Sequence, residues 1–126
     1  MSVVPKLQAK ERRRIGALGE DLALRFLLRG GYFPYARNYR CRFGEIDIIA
    51  WDGPILCFVE VRTRETAAFG GPLESIGRGK IQRVVRAARD FLSHWLGPLP
   101  QLRFDAVGIV LGDSPEITLV QGAFEA

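Results

Sequence analysis

Residues that bind zinc and other soft metals are scarce in this sequence. Histidine occurs once, at His94, and the two cysteines, Cys41 and Cys57, do not form a CxxC pair. That excludes Cys/His zinc sites of ordinary spacing, and two isolated cysteines are expected as reduced strand or core residues. No segment approaches the ~18 uninterrupted apolar residues of a membrane span, and the N-terminus has no apolar stretch of the signal-peptide kind. The expectation is a cytoplasmic protein with no membrane partner. Repeats and low-complexity segments are missing. A chain of 126 residues leaves no room for a second domain, yet it can bury a core without disulfide or zinc support.

Lysine is also scarce, limited to Lys6, Lys10 and Lys80, whereas arginine occurs fifteen times. Together they outnumber Asp and Glu by 18 to 14, for a net charge of +4. The guanidinium fork grips phosphate in two places, so an arginine excess points toward nucleic acid. Codon usage alone accounts for the same number, so the composition leaves both readings open.

Along the chain, residues 1–10 contain Pro5 and little periodicity and are expected as a basic flexible arm, with 11–126 as the single domain. A helix is predicted from about Glu11 to Arg29, stopped by Gly30-Gly31. A short strand over Tyr32–Tyr39 is interrupted by Pro34. Two β-rich runs, Glu45–Ala50 and Ile55–Arg62, flank Trp51-Asp-Gly-Pro54 and read as a hairpin. A loop over 63–77 precedes a second helix, Gly79–Trp95, whose Ile81, Val84, Ala88, Phe91 and Trp95 form one apolar stripe. Strands over Arg103–Leu111 and Glu116–Val120 complete the order α-β-β-β-α-β-β, an α/β fold with one mixed sheet flanked by helices.

Three acidic residues stand where packing is expected. Arg14, Asp21, Arg25 and Arg29 form the polar stripe of helix one, but Glu20 projects elsewhere, among Gly16, Ala23, Leu24 and Leu27. A carboxylate on a packing face must be paired, neutral or near a metal. In the hairpin, a turn centred on Gly53-Pro54 sets Asp47 opposite Glu60, with Cβ atoms roughly 4.5–5.5 Å apart. Both interrupt apolar strands, and facing like charges destabilise a sheet unless a cation lies between them. Arg62 shares the face of Glu60. A hard divalent cation would relieve the clash, and so would a salt-bridge ladder on a solvated face.

Gly44-Glu-Ile-Asp47, Phe58-Val-Glu-Val-Arg-Thr-Arg64, Lys80 on its amphipathic helix and Arg103-Phe-Asp105 together resemble the YraN-like family of bacterial proteins. Gly16-Ala-Leu-Gly-Glu20, Asn38-Tyr-Arg40 and Ala123-Phe124 add to the resemblance, which spans about residue 12 to the C-terminus. That family is similar to the PD-(D/E)xK nucleases, in particular to Holliday-junction resolvases. The resemblance implies a restriction-endonuclease-like core and metal-dependent hydrolysis of phosphodiesters in structured or branched DNA, with Mg2+ or Mn2+ as cofactor. It implies Asp47 and Glu60 as metal ligands, with the Val61 carbonyl, and Glu20 as the completing carboxylate. Arg62 stands where the pattern has lysine. Arginine can stabilise a phosphate in the transition state, but a guanidinium holds its proton too tightly to act as a base. Lys80 can be read as a substitute reaching in from helix two, or more simply as a phosphate contact or surface charge. Glu45 faces Arg62 in the assumed register and would neutralise it.

Basic residues bracket the acidic ones: Arg12, Arg13 and Arg14 on helix one, Arg37, Arg40 and Arg42 before the hairpin, Arg64 after it, and Arg78, Lys80, Arg83, Arg86 and Arg89 on helix two. Such charges suit backbone contacts to nucleic acid, and the resemblance implies DNA more than RNA. They also suit an ordinary solvated helix face, with Asp90 pairing to Arg86. Tyr35, Tyr39 and Phe43 can stack on bases or pack within strands. A junction cutter would address two strands as a homodimer. Three functions follow: a metal-dependent endonuclease, a nucleic-acid-binding module on the same fold without hydrolysis, and an adaptor whose acidic cluster is only a salt-bridge network.

Overall fold

The structure is a computed structural model that describes residues 4–66 and 71–126. Helix α1 (Val4–Arg29) stops at Gly30-Gly31 as the sequence predicts. Gly31 adopts φ 95°, and the Tyr32 and Gly31 N–H groups donate back to the Leu27 and Leu28 carbonyls at 3.0 and 3.1 Å. These are the paired bonds of a Schellman cap. The helix starts at Val4, so residues 4–10 continue it where an arm was expected. Proline is tolerated in a first turn, where the backbone N–H has no helical acceptor.

Strands β1 (Phe33–Cys41), β2 (Gly44–Asp52) and β3 (Ile55–Arg64) follow. A 3-10 turn (Pro72–Ser75) and α2 (Arg78–Ser93) lead to β4 (Gln101–Val110) and β5 (Glu116–Phe124). The sheet order is β1-β2-β3-β4-β5. Strands β3 and β4 run parallel, because the crossover through α2 returns the chain to the same end of the sheet, and the other neighbours are antiparallel. This is the α-β-β-β-α-β-β order and mixed five-stranded sheet of the expected restriction-endonuclease-like core. Pro34 sits on the edge strand β1, where a missing ladder bond is tolerated, and the register shifts between Pro34 and Ala36.

Each face of the sheet carries one helix. Ala23 and Leu27 of α1 pack with Ile48, Ala50, Val59 and Val107. Val84 and Ala88 of α2 pack with Ile49, Phe58 and Phe104 on the other face. Cys57 lies in the first layer, and both cysteines are free thiols. Among the described residues no helix is long and apolar enough to cross a membrane.

A polar network closes one corner of the fold. Asp105 is fully buried and accepts hydrogen bonds from the Tyr32 hydroxyl and Arg103 Nε, both at 2.8 Å, and from Gly122 N–H at 3.0 Å. Arg103 also donates to Asp52 at 2.8 Å, which ties the end of α1 and the hairpin turn to β4 and β5.

Candidate metal centre and its flanking clefts

The hairpin turns on Gly53 (φ 58°) and Pro54 and pairs Asp52 with Ile55 through to Ile48 with Val59. That is the predicted register, and one further step sets Asp47 against Glu60. At this step the regular strand gives way. Ile46 and Ile48 pack into layers on opposite faces although they are two residues apart, so side-chain alternation breaks at Asp47. A side chain then joins the strands, with Val61 N–H donating to Asp47 Oδ2 at 2.8 Å.

Glu60 is 2% exposed and Asp47 is 7% exposed. Two cations share one oxygen of Glu60: Lys80 Nζ lies 3.3 Å from Oε2 and Arg62 Nε lies 3.7 Å from it. The other oxygen, Oε1, is buried without a hydrogen-bond partner, as is Arg62 Nε. Burial, and next the neighbouring Asp47 carboxylate, push the Glu60 carboxyl up to about 8, against the opposing pull of Lys80 and Arg62. The lysine of helix two thus reaches the acidic pair, and the simpler reading of Lys80 as a surface charge is corrected.

Glu20 reaches the same end of the sheet from α1. Its carboxyl is raised by burial and by Asp47, while Arg37 and the Asn38 side chain oppose the shift. Arg37 Nη2 lies 3.8 Å from Glu20 Oε1 and 2.9 Å from Asp21 Oδ1. Asn38 is held in the left-handed region at φ 51°, which asparagine tolerates better than most residues. The approach of α1 depends on Gly19, because a Cβ there would lie 1.8 Å from Thr63 Oγ1 on β3. Arg37 and Asn38 are the site residues whose role the sequence pattern does not reveal, since their contacts with Glu20 and Asp21 cross from β1 to α1.

Among the described residues, no three His, Cys, Asp or Glu side chains form a ready metal cage. What is present is a buried carboxylate pair with one orphaned oxygen, and a third carboxylate coupled to it through space. That donor set fits Mg2+, which is commonly bound through one or two carboxylates with water and substrate phosphate completing the shell. It does not fit zinc. Glu45 ion-pairs with Arg40 at 3.0 Å, so its predicted role of neutralising Arg62 is corrected.

The basic residues separate into two clefts. One, of about 470 Å3, lies on the α1 side and is lined by Arg12, Glu20, Arg62, Arg64 and Glu65 among others. The second, of about 380 Å3, lies on the α2 side and is lined by Arg40, Cys41, Gly44, Glu45, Lys80 and Arg83. Arg78 and Arg86 are exposed on α2 and line neither cleft, and Arg42 lies over the Phe43 ring at 4.8 Å. Tyr35 packs edge-on against Phe91 and Trp51, and Tyr39 packs against Phe91. The Tyr39 hydroxyl donates to Asp90, the carboxylate expected to serve Arg86. Both tyrosines therefore face α2 as packing residues.

A family model described as "Uncharacterised protein family UPF0102" matches residues 19–109, a span that includes Glu20, Asp47, Glu60, Lys80 and Asp105. The chain is similar to UPF0102 proteins of Anaeromyxobacter sp., at 41% identity over 94% of this chain and 90% of that protein, and of Nocardia farcinica, at 42% over 90% and 91%. A UPF0102 protein of Chlorobium phaeobacteroides is 46% identical over 79% of each chain. The chain belongs to the uncharacterised family UPF0102, the YraN-like family that its motifs resemble.

Proposed function

We propose that this protein is a divalent-metal-dependent phosphodiesterase acting on DNA. The observation that carries the reading is Glu60: a carboxylate buried against Asp47, with Oε1 orphaned and two cations gathered on Oε2. Asp47 and Glu60, with the Val61 backbone, would hold Mg2+ or Mn2+, and Glu20 would complete the acidic set. The cation supplies charge neutralisation for the carboxylates and a lowered pKa for water.

The chain's own groups divide the remaining work. Hydrolysis adds water across a P–O bond and leaves a phosphate monoester and an alcohol. Arg62 clamps phosphate oxygens as negative charge accumulates on them. Of the two cations beside Glu60, Lys80 is the nearer, at 3.3 Å against 3.7 Å, and it carries the amine that Arg62 lacks, so it takes the place of the lysine that Arg62 replaces in the motif. Lys80 orients the attacking water, and Arg62, which lines a cleft with Arg12 and Arg64, holds the phosphate.

A second reading, a binding module without hydrolysis, draws support from the same two ion pairs, because Lys80 and Arg62 balance Glu60 without any metal. A cleavage assay with Mg2+ or Mn2+ separates the two. The phosphodiesterase reading expects wild type to cut, Asp47→Ala to be inert, and Lys80→Met to lose about 100-fold in rate at nearly unchanged DNA affinity. Arg62→Lys should remain active. If wild type cuts nothing with either metal while binding DNA in a salt-sensitive way, the binding module stands. Activity restored to an inert wild type by Arg62→Lys would lead to the same conclusion.

A further inference from the structure

Strand β1 breaks its alternation at the step where β2 breaks its own. Arg37 reaches α1, at Glu20 and Asp21, whereas Tyr39 reaches α2, at Asp90 and Phe91. On a regular strand, side chains two residues apart share a face. The residue between them is Asn38, at φ 51°, and among the described residues it is the only one besides glycine at positive φ. Arg37 pairs with Ile48 and Tyr39 with Ile46, so Asn38 stands at the same step of the ladder as Asp47. Its side-chain amide donates to the Glu20 carboxylate on α1. Backbone in a sparsely populated region persists where its surroundings hold it, and such positions cluster at functional sites.

Resting on the phosphodiesterase reading, we propose that Asn38 is a positioning residue that holds Glu20 toward Asp47 for a shared divalent cation. Glu20 needs such a hold. It lines a cleft together with Val61 and Arg62, and the Asp47 carboxylate repels it. Two groups oppose that repulsion, and they differ in kind. Arg37 is a cation whose firmer contact is Asp21, at 2.9 Å against 3.8 Å to Glu20 Oε1, so it secures β1 to α1 more than it orients Glu20. Asn38 offers a neutral donor. An amide N–H occupies one lone pair of the carboxylate and restricts its rotation, yet adds no positive charge to compete with a metal ion. Groups that hydrogen-bond a ligating carboxylate in this way orient it and sustain metal affinity. The left-handed backbone follows from the same requirement, because asparagine is one of the few residues with a side-chain donor that adopts it readily. Glycine adopts it more readily still but has no amide.

The test is calorimetric titration of Mn2+ at pH 7.5 into wild type, Asn38→Gly, Glu20→Ala and the double variant, each checked by circular dichroism. Asn38→Gly keeps the backbone conformation and removes the amide. It should stay folded and bind Mn2+ about tenfold more weakly than wild type. Glu20→Ala should weaken binding at least as much. The double variant should bind no more weakly than Glu20→Ala alone, because Asn38 acts through Glu20. Wild-type Mn2+ affinity in Asn38→Gly overturns the proposal, since the residue then serves only the bend of β1. Full additivity of the two substitutions overturns it as well, and so does an affinity loss that circular dichroism traces to a disturbed fold. In all three cases a wild type that binds Mn2+ and cuts DNA leaves the phosphodiesterase reading standing. A wild type that binds no Mn2+ removes that reading and the proposal together.

Discussion

Replacing Glu60 with glutamine removes a buried ionisation while keeping the side chain's shape. In the native protein, burial and then Asp47 raise the carboxyl from 4.5 to about 8. A raised carboxyl pKa means that the folded state holds the proton more tightly than the unfolded state does. The resulting stability is fully present below about pH 4.5, declines as pH rises, and is lost once pH passes about 8. At ~1.4 kcal/mol per pKa unit the upper bound on that loss is about 5 kcal/mol. Relaxation and water entry around the partly exposed Lys80 and Arg62 reduce it to about 2–4 kcal/mol. Glutamine has no proton to lose. Thermal unfolding from pH 5 to pH 9 should therefore show Glu60→Gln gaining on wild type as pH rises, by about 6–15 °C in Tm over the range. Mg2+ added at pH 8 should narrow the gap by stabilising wild type alone. A gap that stays constant across this range would refute the reasoning, because it would mean that Glu60 ionises as freely in the fold as in the unfolded chain.

Other perturbations probe the elements that place the site. Gly19→Ala inserts a methyl group 1.8 Å from Thr63 Oγ1, so α1 must lift from β3; denaturant unfolding should show a loss of about 1–3 kcal/mol, with weaker metal binding as Glu20 moves away. Asp105→Asn strips the charge from a buried acceptor of Arg103, Tyr32 and Gly122, at a cost of about 3–5 kcal/mol in the same measurement. Burial pushes the Asp105 carboxyl up, but Arg103, the Gly122 N–H and Tyr32 outweigh it and hold the carboxyl below its usual value. Its contribution is present above the unfolded pKa and lost as pH falls through the folded one, so the wild-type advantage over Asp105→Asn should shrink below about pH 4.

The hairpin was readable from the sequence because its information is local. Gly53-Pro54 sets the turn, and the turn sets the register as far as Ile48 against Val59, one step short of Asp47 and Glu60. The α2 stripe was readable for the same reason, since Val84 and Ala88 recur at helical spacing and both are buried. Contacts between distant segments were not readable. Lys80 falls twenty residues after Glu60, and only the crossover through α2 shows that its ammonium ends on that carboxylate. Asn38 and Arg37 lie on an edge strand whose polar residues look solvated, and their partner is on a helix. Glu45 illustrates the opposite error: the β2–β3 register pointed it at Arg62, but Glu45 lies directly across from Arg40 in the β1–β2 ladder and pairs with it. The start of α1 was also missed, because residues 4–10 include Pro5 and show little apolar periodicity, while the helix begins at Val4.

The most direct test of the central claim is calorimetric titration of Mn2+ into wild-type protein and into Asp47→Ala at pH 7.5. Wild type should show a saturable site that disappears in Asp47→Ala while both proteins remain folded by circular dichroism. Equal Mn2+ binding by the two, or no saturable binding in wild type, would contradict the claim.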